Sequence, residues 1–505
     1  MAAAQAKRFS WRMITTQEPH LASEALLLHT DAGERVHVVR EEEHNAFHGM
    51  RTGMRLNVTG LWLSRGPGGV RAAGASSLPH ALSSFCFYGS SLDIVSQGPV
   101  GKPKLEGGLV QVAAASGDGF VQSAAVLNSN PLIVKDVKTL IIPIVGVNAA
   151  GASCFNTALP KFNASHVRRA VFAEMNPRGP TVGGTFNRCS LGKSRLTTQN
   201  SLVADTVKLP CAGTTNDIPW SFSKCDFDDF NGWADAADAE LAKRGVDLSK
   251  YFYKVYLIPP GSCPFVGLGY VGCDGSYPCR SWIGGDFWTT PEAITHELGH
   301  NLFLAHAGTW KPDGSFDEYG DQTGAMGYCC EPRCFNTPQS WQMGWLSVQH
   351  FDASNLRAGQ TVETTLASQA TSVLSGVRIK PTWLSGGEPI FMSLRTRAGG
   401  DALLSAAAAN KVHIHTSPIE HSFDSQLTTW HAALAVNQSW ENAAAGVVLR
   451  LKALKAGRAA VSICRKGPGG KETLETCSKG IDNDCNGKAG PKDPACWPLL
   501  KRLTG

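Results

Sequence analysis

The stretch HELGHNLFLAH, from His296 to His306, constrains the fold more than any other part of the chain. On an α-helix His296 and His300 lie one turn apart on the same face, so both imidazoles can reach one metal ion. Glu297 then projects to the side where a metal-bound water would lie. His306 cannot join them if the helix simply continues, because six further residues carry it about 9 Å along the axis and roughly 120° around it. A third ligand at His306 therefore demands a helix that stops abruptly before it. In zinc sites of this kind a glycine three residues after the second histidine takes the left-handed conformation and makes the break. Here Phe303 stands at that position, and making the same turn would cost it about 1 to 3 kcal/mol. Otherwise the break lies elsewhere, although Asn301, a more willing left-handed residue, comes too early to be an obvious substitute.

The rest of the chain suggests an oxidising environment. It holds 15 cysteines, concentrated between Cys154 and Cys334 and again from Cys464 to Cys496, which favours disulfides over a reducing cytosol. Cys273, Cys279, Cys329, Cys330 and Cys334 lack the paired knuckles of a structural zinc site and are expected as disulfides around the rim of the active site. Sequons at Asn57, Asn163 and Asn437 agree with a glycoprotein, although patterns this short also arise by chance. No secretory signal is visible at the start of the chain, and no apolar run is long enough to span a bilayer. The best one, VKTLIIPIVGVNAAGA, is short, contains Pro143 and reads as a buried strand. A net charge of only +5 indicates no nucleic-acid or membrane-surface partner.

The 505 residues suffice for two or three domains. Residues 1–130 alternate in short segments divided by Gly, Ser and Pro, as in a β-rich N-terminal region. Residues 137–350 mix strands such as TLIIPIVGV and KVYLIPP with helices. One helix is expected over FNGWADAADAELAKRGVDL with its stop at Gly245, and another from TTPEAITHELGH with Thr290 as cap and Pro291 at the first position. Residues 351–465 read as strands of a β-sandwich-like domain, in which His413 and His415 share one strand face as ordinary strand residues. Residues 466–505 form a Cys- and Asp-rich tail too small for a core of its own.

Four segments in order, CPFVGLGYVGCDGSYPCRSWIGG, THELGHNLFLAHAG, EYGDQTGAMGY and RCFNTPQSWQMGWL, resemble the metzincins and, more closely, the gametolysin family of algal extracellular-matrix metalloproteases. The resemblance covers about residues 137 to 465. It implies an α+β fold in which a metzincin-like catalytic domain is flanked by an N-terminal β-rich prosegment and the C-terminal β domain. It further implies a zinc ion on His296, His300 and His306, with Glu297 as catalytic base and Met326 in a tight turn beneath the metal. The implied substrate is a protein of the cell wall or extracellular matrix. Tyr328 follows Met326 at the spacing where astacins and serralysins place a tyrosine near the metal. It could donate to an oxyanion, or be a core or rim residue. Trp341 and Trp345 could line a wall near the cleft.

Two further sites are suggested. The tail, ETCSKGIDNDCNGKAGPKDPAC, resembles an Asp/Asn-rich metal-binding repeat of microbial surface and secreted proteins. Asp482, Asn483, Asp484, Asn486 and Asp493 offer calcium hard oxygen ligands. Lys479 replaces an aspartate of that pattern, and a solvated, disulfide-closed loop without metal is the alternative. Cys86, the one cysteine before Cys154, leaves 15 − 1 = 14 to pair. It is either a prosegment thiolate that blocks the zinc until activation, a cysteine switch, or a buried cysteine of the β-rich region. Two other functions compete with the protease: a pseudoprotease, suggested by Phe303, and a calcium-binding matrix or surface protein.

Overall fold

The computed structural model describes residues 133–273 and 279–501 in full. Before them it describes only the backbone of the strands Lys7–Thr16, Ala25–Thr30, Arg35–Val38, Arg55–Gly66, Gly69–Ala72, Phe85–Ser96 and Val126–Ser129. The architecture is α+β. Strands Val207–Leu209, Thr139–Gly146, Tyr253–Leu257 and Cys279–Ile283 lie side by side and parallel, and Gly267–Val271 follows antiparallel to the last of them. Every residue of Thr139–Gly146 and of Tyr253–Leu257 is buried, as in a sheet covered on both faces, with Lys254 of the second strand paired to Asp238 at 2.7 Å. Gly267–Val271 pairs on its other side, again antiparallel, with Lys7–Thr16, from Met13 opposite Val271 to Thr16 opposite Leu268.

Helices α1 (Ala164–Val171), α2 (Val182–Cys189), α3 (Phe227–Lys243) and α4 (Pro291–Asn301) accompany this sheet, whereas α5 (Thr337–Gln342) packs against the strands Ile390–Arg395 and Lys411–Thr416. Asn163, the first residue of one sequon, caps α1 through hydrogen bonds from the Ser165 and His166 amides. The predicted helix at FNGWADAADAELAKRGVDL is α3, and its chain reverses at Gly245 with φ +80°. Its inner face buries Phe230, Trp233, Ala237 and Leu241, the 3.6-residue stripe of an amphipathic helix. Thr290 does precede α4 and Pro291 opens it, but the Thr290 side chain makes no capping bond.

The C-terminal β region contains two sheets around one apolar core. Thr428–Leu434, Lys411–Thr416, Ile390–Arg395, Leu374–Ile379 and Ser347–Phe351 form part of one sheet. Thr361–Ala367, Arg458–Arg465, Val447–Lys455 and Ser439–Asn442 form the other. Val377, Met392 and Ile414 meet Leu449, Val461 and Ile463 between them. The division expected near residue 350 is not a division of the sheets: Ala307–Trp310, just after the histidine motif, pairs in parallel with Thr428–Trp430. Among the described residues seven disulfides join Cys154–Cys211, Cys189–Cys334, Cys225–Cys263, Cys273–Cys279, Cys329–Cys330, Cys464–Cys485 and Cys477–Cys496. The side chain of Cys86 lies outside the described residues.

Candidate metal centre and active site

α4 carries His296, Glu297 and His300 in full burial. The Nδ1–H of His296 donates to the Ala325 carbonyl at 2.9 Å, and that of His300 donates to the Leu304 carbonyl at 2.8 Å. Fixing Nδ1 as the donor leaves each Nε2 unprotonated, the form in which an imidazole ligates a metal. The two Nε2 atoms stand 3.1 Å apart. His306 joins them, its ring centroid 5.4 Å from that of His296 and 4.7 Å from that of His300, with one ligand atom of each residue within 4.8 Å of the others. Nε2 of His306 is buried without a hydrogen-bond partner in the protein. Burial first, and then the neighbouring imidazoles, hold His296 and His300 well below the usual histidine range, so both are neutral, as ligation requires. Three convergent, neutral or unpartnered imidazole nitrogens in a buried site fit a divalent metal with a preference for nitrogen donors.

The break before His306 occurs at Phe303, which takes φ +70°. The Phe303 amide donates to the His300 carbonyl at 2.9 Å and the Leu304 amide to the Gly299 carbonyl at 3.0 Å. These two bonds are the Schellman termination of a helix, and Phe303 occupies the position that usually holds glycine. The left-handed strain of about 1 to 3 kcal/mol is therefore present and offset locally. Its carbonyl accepts from Gln342 Nε2 at 2.9 Å and Ser425 Oγ at 3.2 Å, and its ring packs edge-on against Phe423 at 4.8 Å. Asn301 does not make the turn. Its amide instead ties the end of α4 to the sheet, donating to the Tyr270 carbonyl at 2.8 Å and accepting from Ser281 Oγ at 3.0 Å.

Glu297 points from α4 toward the strand Gly267–Val271. Neither of its carboxylate oxygens has a hydrogen-bond partner in the protein, and burial pushes its carboxyl well above the usual range. A Cβ on Gly267 would stand 2.2 Å from Oε1 of Glu297, so only glycine lets the strand pass this close. Met326 is fully buried beneath α4. A Cβ on Gly299 would lie 2.4 Å from its sulfur, which explains a helix-weakening glycine between the two histidines.

Sequence reasoning missed Glu318 and Tyr319. Oε1 of Glu318 faces Nδ1 of His306 at 3.4 Å. Burial alone would raise the Glu318 carboxyl, yet hydrogen bonds from His306 and Tyr319 bring it below its ordinary value. The Tyr319 ring, buried, lies 4.2 Å from that of His306 and 6.4 Å from that of His296, centroid to centroid. Both open the segment EYGDQTGAMGY, but no periodicity assigns either a role, because the pair sits in an irregular segment that only the chain reversal after His306 returns to the site. Tyr328 is 53% exposed, its backbone carbonyl accepts from Arg333, and it lines a cavity of about 630 Å³ with Cys329, Cys330 and Trp430. Trp341 and Trp345 are not on a cleft wall but buried, Trp341 under Arg378 and beside Phe391, Trp345 between Phe186 and Phe335. His413 and His415 are buried strand residues. His415 pairs with Asp321 at 3.0 Å, and His413 bonds the Ala408 carbonyl at 2.8 Å.

In the tail, carboxylate oxygens of Asp482, Asp484 and Glu472 come within 4.8 Å of one another. Asn486 joins this group to buried Asp493, its Nδ2 donating to Asp484 Oδ2 and to Asp493 Oδ1, each at 3.1 Å. Asn483 is engaged elsewhere, donating to the Lys471 carbonyl at 2.6 Å. Glu472 lies upstream of the Asp/Asn-rich segment, and accepts from the Asn483 and Asp484 amides.

The sequence model of the gametolysin peptidase M11 family matches residues 150–441, an interval that contains the three histidines, Glu297, Met326 and Glu318–Tyr319. The chain belongs to the gametolysin family. A curated relative is the autolysin of Chlamydomonas reinhardtii, 24% identical over 458 residues that cover 72% of this chain and 70% of the relative. Gametolysin-family membership makes the chain a metallopeptidase. Among the described residues no helix is long and apolar enough to cross a membrane.

Proposed function

We propose that the chain is a zinc-dependent endopeptidase, secreted or directed to the extracellular matrix, that cleaves proteins of the cell wall or matrix. The observation that carries this reading is the convergence of His296, His300 and His306 on one buried point, with the unpartnered Glu297 carboxylate beside it. His296, His300 and His306 would hold the zinc, whose contribution when bound is to lower the pKa of a water to about 7 and to polarise a peptide carbonyl. Glu297 takes a proton from the attacking water and delivers it to the leaving amide nitrogen. Met326 supports the floor of the site, and Glu318 holds the His306 ring. Tyr319, its ring tilted against that of His306, lies nearer the histidines than exposed Tyr328 and would donate to a developing oxyanion in exchange for its bond to Glu318.

Seven disulfides favour an oxidising location. The antiparallel pairing of Lys7–Thr16 with Gly267–Val271, the strand beside Glu297, supports an N-terminal prosegment that covers the site in a zymogen. A Phe303 that already makes the required turn favours a working peptidase over a pseudoprotease. For the tail we propose a calcium ion held by Glu472, Asp482 and Asp484, with Asp493 and Asn486 behind them. Metal analysis of the purified chain, followed by proteolysis of matrix extract with and without a chelator, tests the main reading. One bound zinc and chelator-sensitive cleavage are expected. A chain free of zinc, or cleavage that ignores the chelator, would overturn it.

A further inference from the structure

We infer that Gln342 is a positioning residue for the third histidine, which makes α5 and residues 422–428 of the C-terminal β region working parts of the metal centre. The inference rests on the zinc site proposed above. Four consecutive carbonyls from Phe303 to His306 each accept a hydrogen bond. That of Phe303 accepts from Gln342 Nε2 and Ser425 Oγ, that of Leu304 from His300 Nδ1, that of Ala305 from Gln339 Nε2 at 2.9 Å, and that of His306 from the Thr428 amide at 3.1 Å. Apart from the bond to His300, all these donors come from α5 or from the 422–428 segment, far away in sequence.

Gln342 is central to the arrangement. It is fully buried, and its Nε2 also donates to the Asp424 carbonyl at 2.8 Å and the Ser422 carbonyl at 3.3 Å. One amide group thus joins the strained residue of the ligand turn to the loop that packs on it, while Phe423 of that loop covers the Phe303 ring. In a glycine-containing turn the left-handed conformation needs no such support. With phenylalanine there, the turn depends on outside bonds, and what the turn decides is where His306 meets His296 and His300.

The test uses the full chain and zinc alone, with affinity measured by competition against a chromogenic chelator in four proteins: unmodified, Gln342→Met, Phe303→Gly and the double variant. Methionine keeps the volume of the side chain and removes its donors. We expect Gln342→Met to weaken zinc binding at least tenfold in the unmodified background and less than threefold in the Phe303→Gly background, since glycine makes the turn unaided. The melting temperature of the metal-free protein separates this from general destabilisation, which would lower it without the background-dependent loss of affinity. If Phe303→Gly does not fold, Phe303→Asn serves as the second background. Equal losses in the two backgrounds, or no loss in the first, would overturn the inference while leaving the metal site intact. An unmodified chain that takes up no zinc would overturn the metal site itself.

Discussion

Glu318 and His306 form a carboxylate–imidazole pair, Oε1 to Nδ1 at 3.4 Å, at the third histidine of the proposed zinc site. Partners of this kind fix the tautomer and raise the basicity of a ligand, and their loss typically weakens metal binding 10- to 100-fold. Glu318→Ala should therefore retain the fold and lose zinc affinity by about that factor, measured by chelator competition. Unchanged affinity would reduce Glu318 to a surface carboxylate near the site.

Glu297 tests the chemistry rather than the ligation. Glu297→Gln should keep one zinc per chain while peptide hydrolysis falls by at least about 10²-fold, the usual cost of losing a general base. Near-normal turnover would place the proton transfer on another residue.

Tyr319 is expected to act through its hydroxyl. Tyr319→Phe keeps the ring beside His306 and should leave zinc content and KM unchanged while kcat falls roughly tenfold or more, a modest version of losing one oxyanion donor. If kcat is unaffected and Tyr328→Phe lowers it instead, the assignment belongs to Tyr328.

Glu292 supplies a pH signature. It is fully buried in the first turn of α4, and burial pushes its carboxyl up to about 8 against the pull of Arg333. Its unfolded value is about 4.3, so between the two the native chain holds a proton that the unfolded chain has released, and stability falls as pH rises through this window. Glu292→Gln removes that loss. Its stability relative to the unmodified chain should improve by about 3 kcal/mol between pH 5 and pH 7.5, read from denaturant unfolding. A difference that does not grow with pH would show that Glu292 is ionised in the fold.

The tail should respond to calcium separately from the histidines. Calcium added to the full chain should protect residues 466–501 from limited proteolysis, and Asp482→Asn with Asp484→Asn should abolish the protection without altering zinc content. Equal cleavage of the unmodified tail with and without calcium would leave it a disulfide-closed loop.

Whatever depends on near neighbours is legible in the chain's own residues. The spacing of His296 and His300 puts two imidazoles on one face because helical geometry is local. The need for a break before His306 follows from the same geometry, and Gly245 and Pro291 bound their helices through backbone torsions that no distant contact has to supply. The buried strand Thr139–Gly146 was legible because apolar runs leave a strand little choice but the core. Tertiary structure alone decided what depends on distant partners. Whether Phe303 could make the break was settled by Gln342 and Ser425, whose bonds offset a strain that torsional preference argues against. Glu318 and Tyr319 reach the site only because the chain turns back after His306, and Glu472 reaches the tail cluster from outside the expected segment. Trp341 and Trp345 lie in the core rather than on a cleft wall because neighbouring rings and Arg378 close over them. The boundary expected near residue 350 rested on a change of local texture, but hydrogen bonding between Ala307–Thr309 and Thr428–Trp430 crosses it, and a strand's partner is not encoded in its own residues.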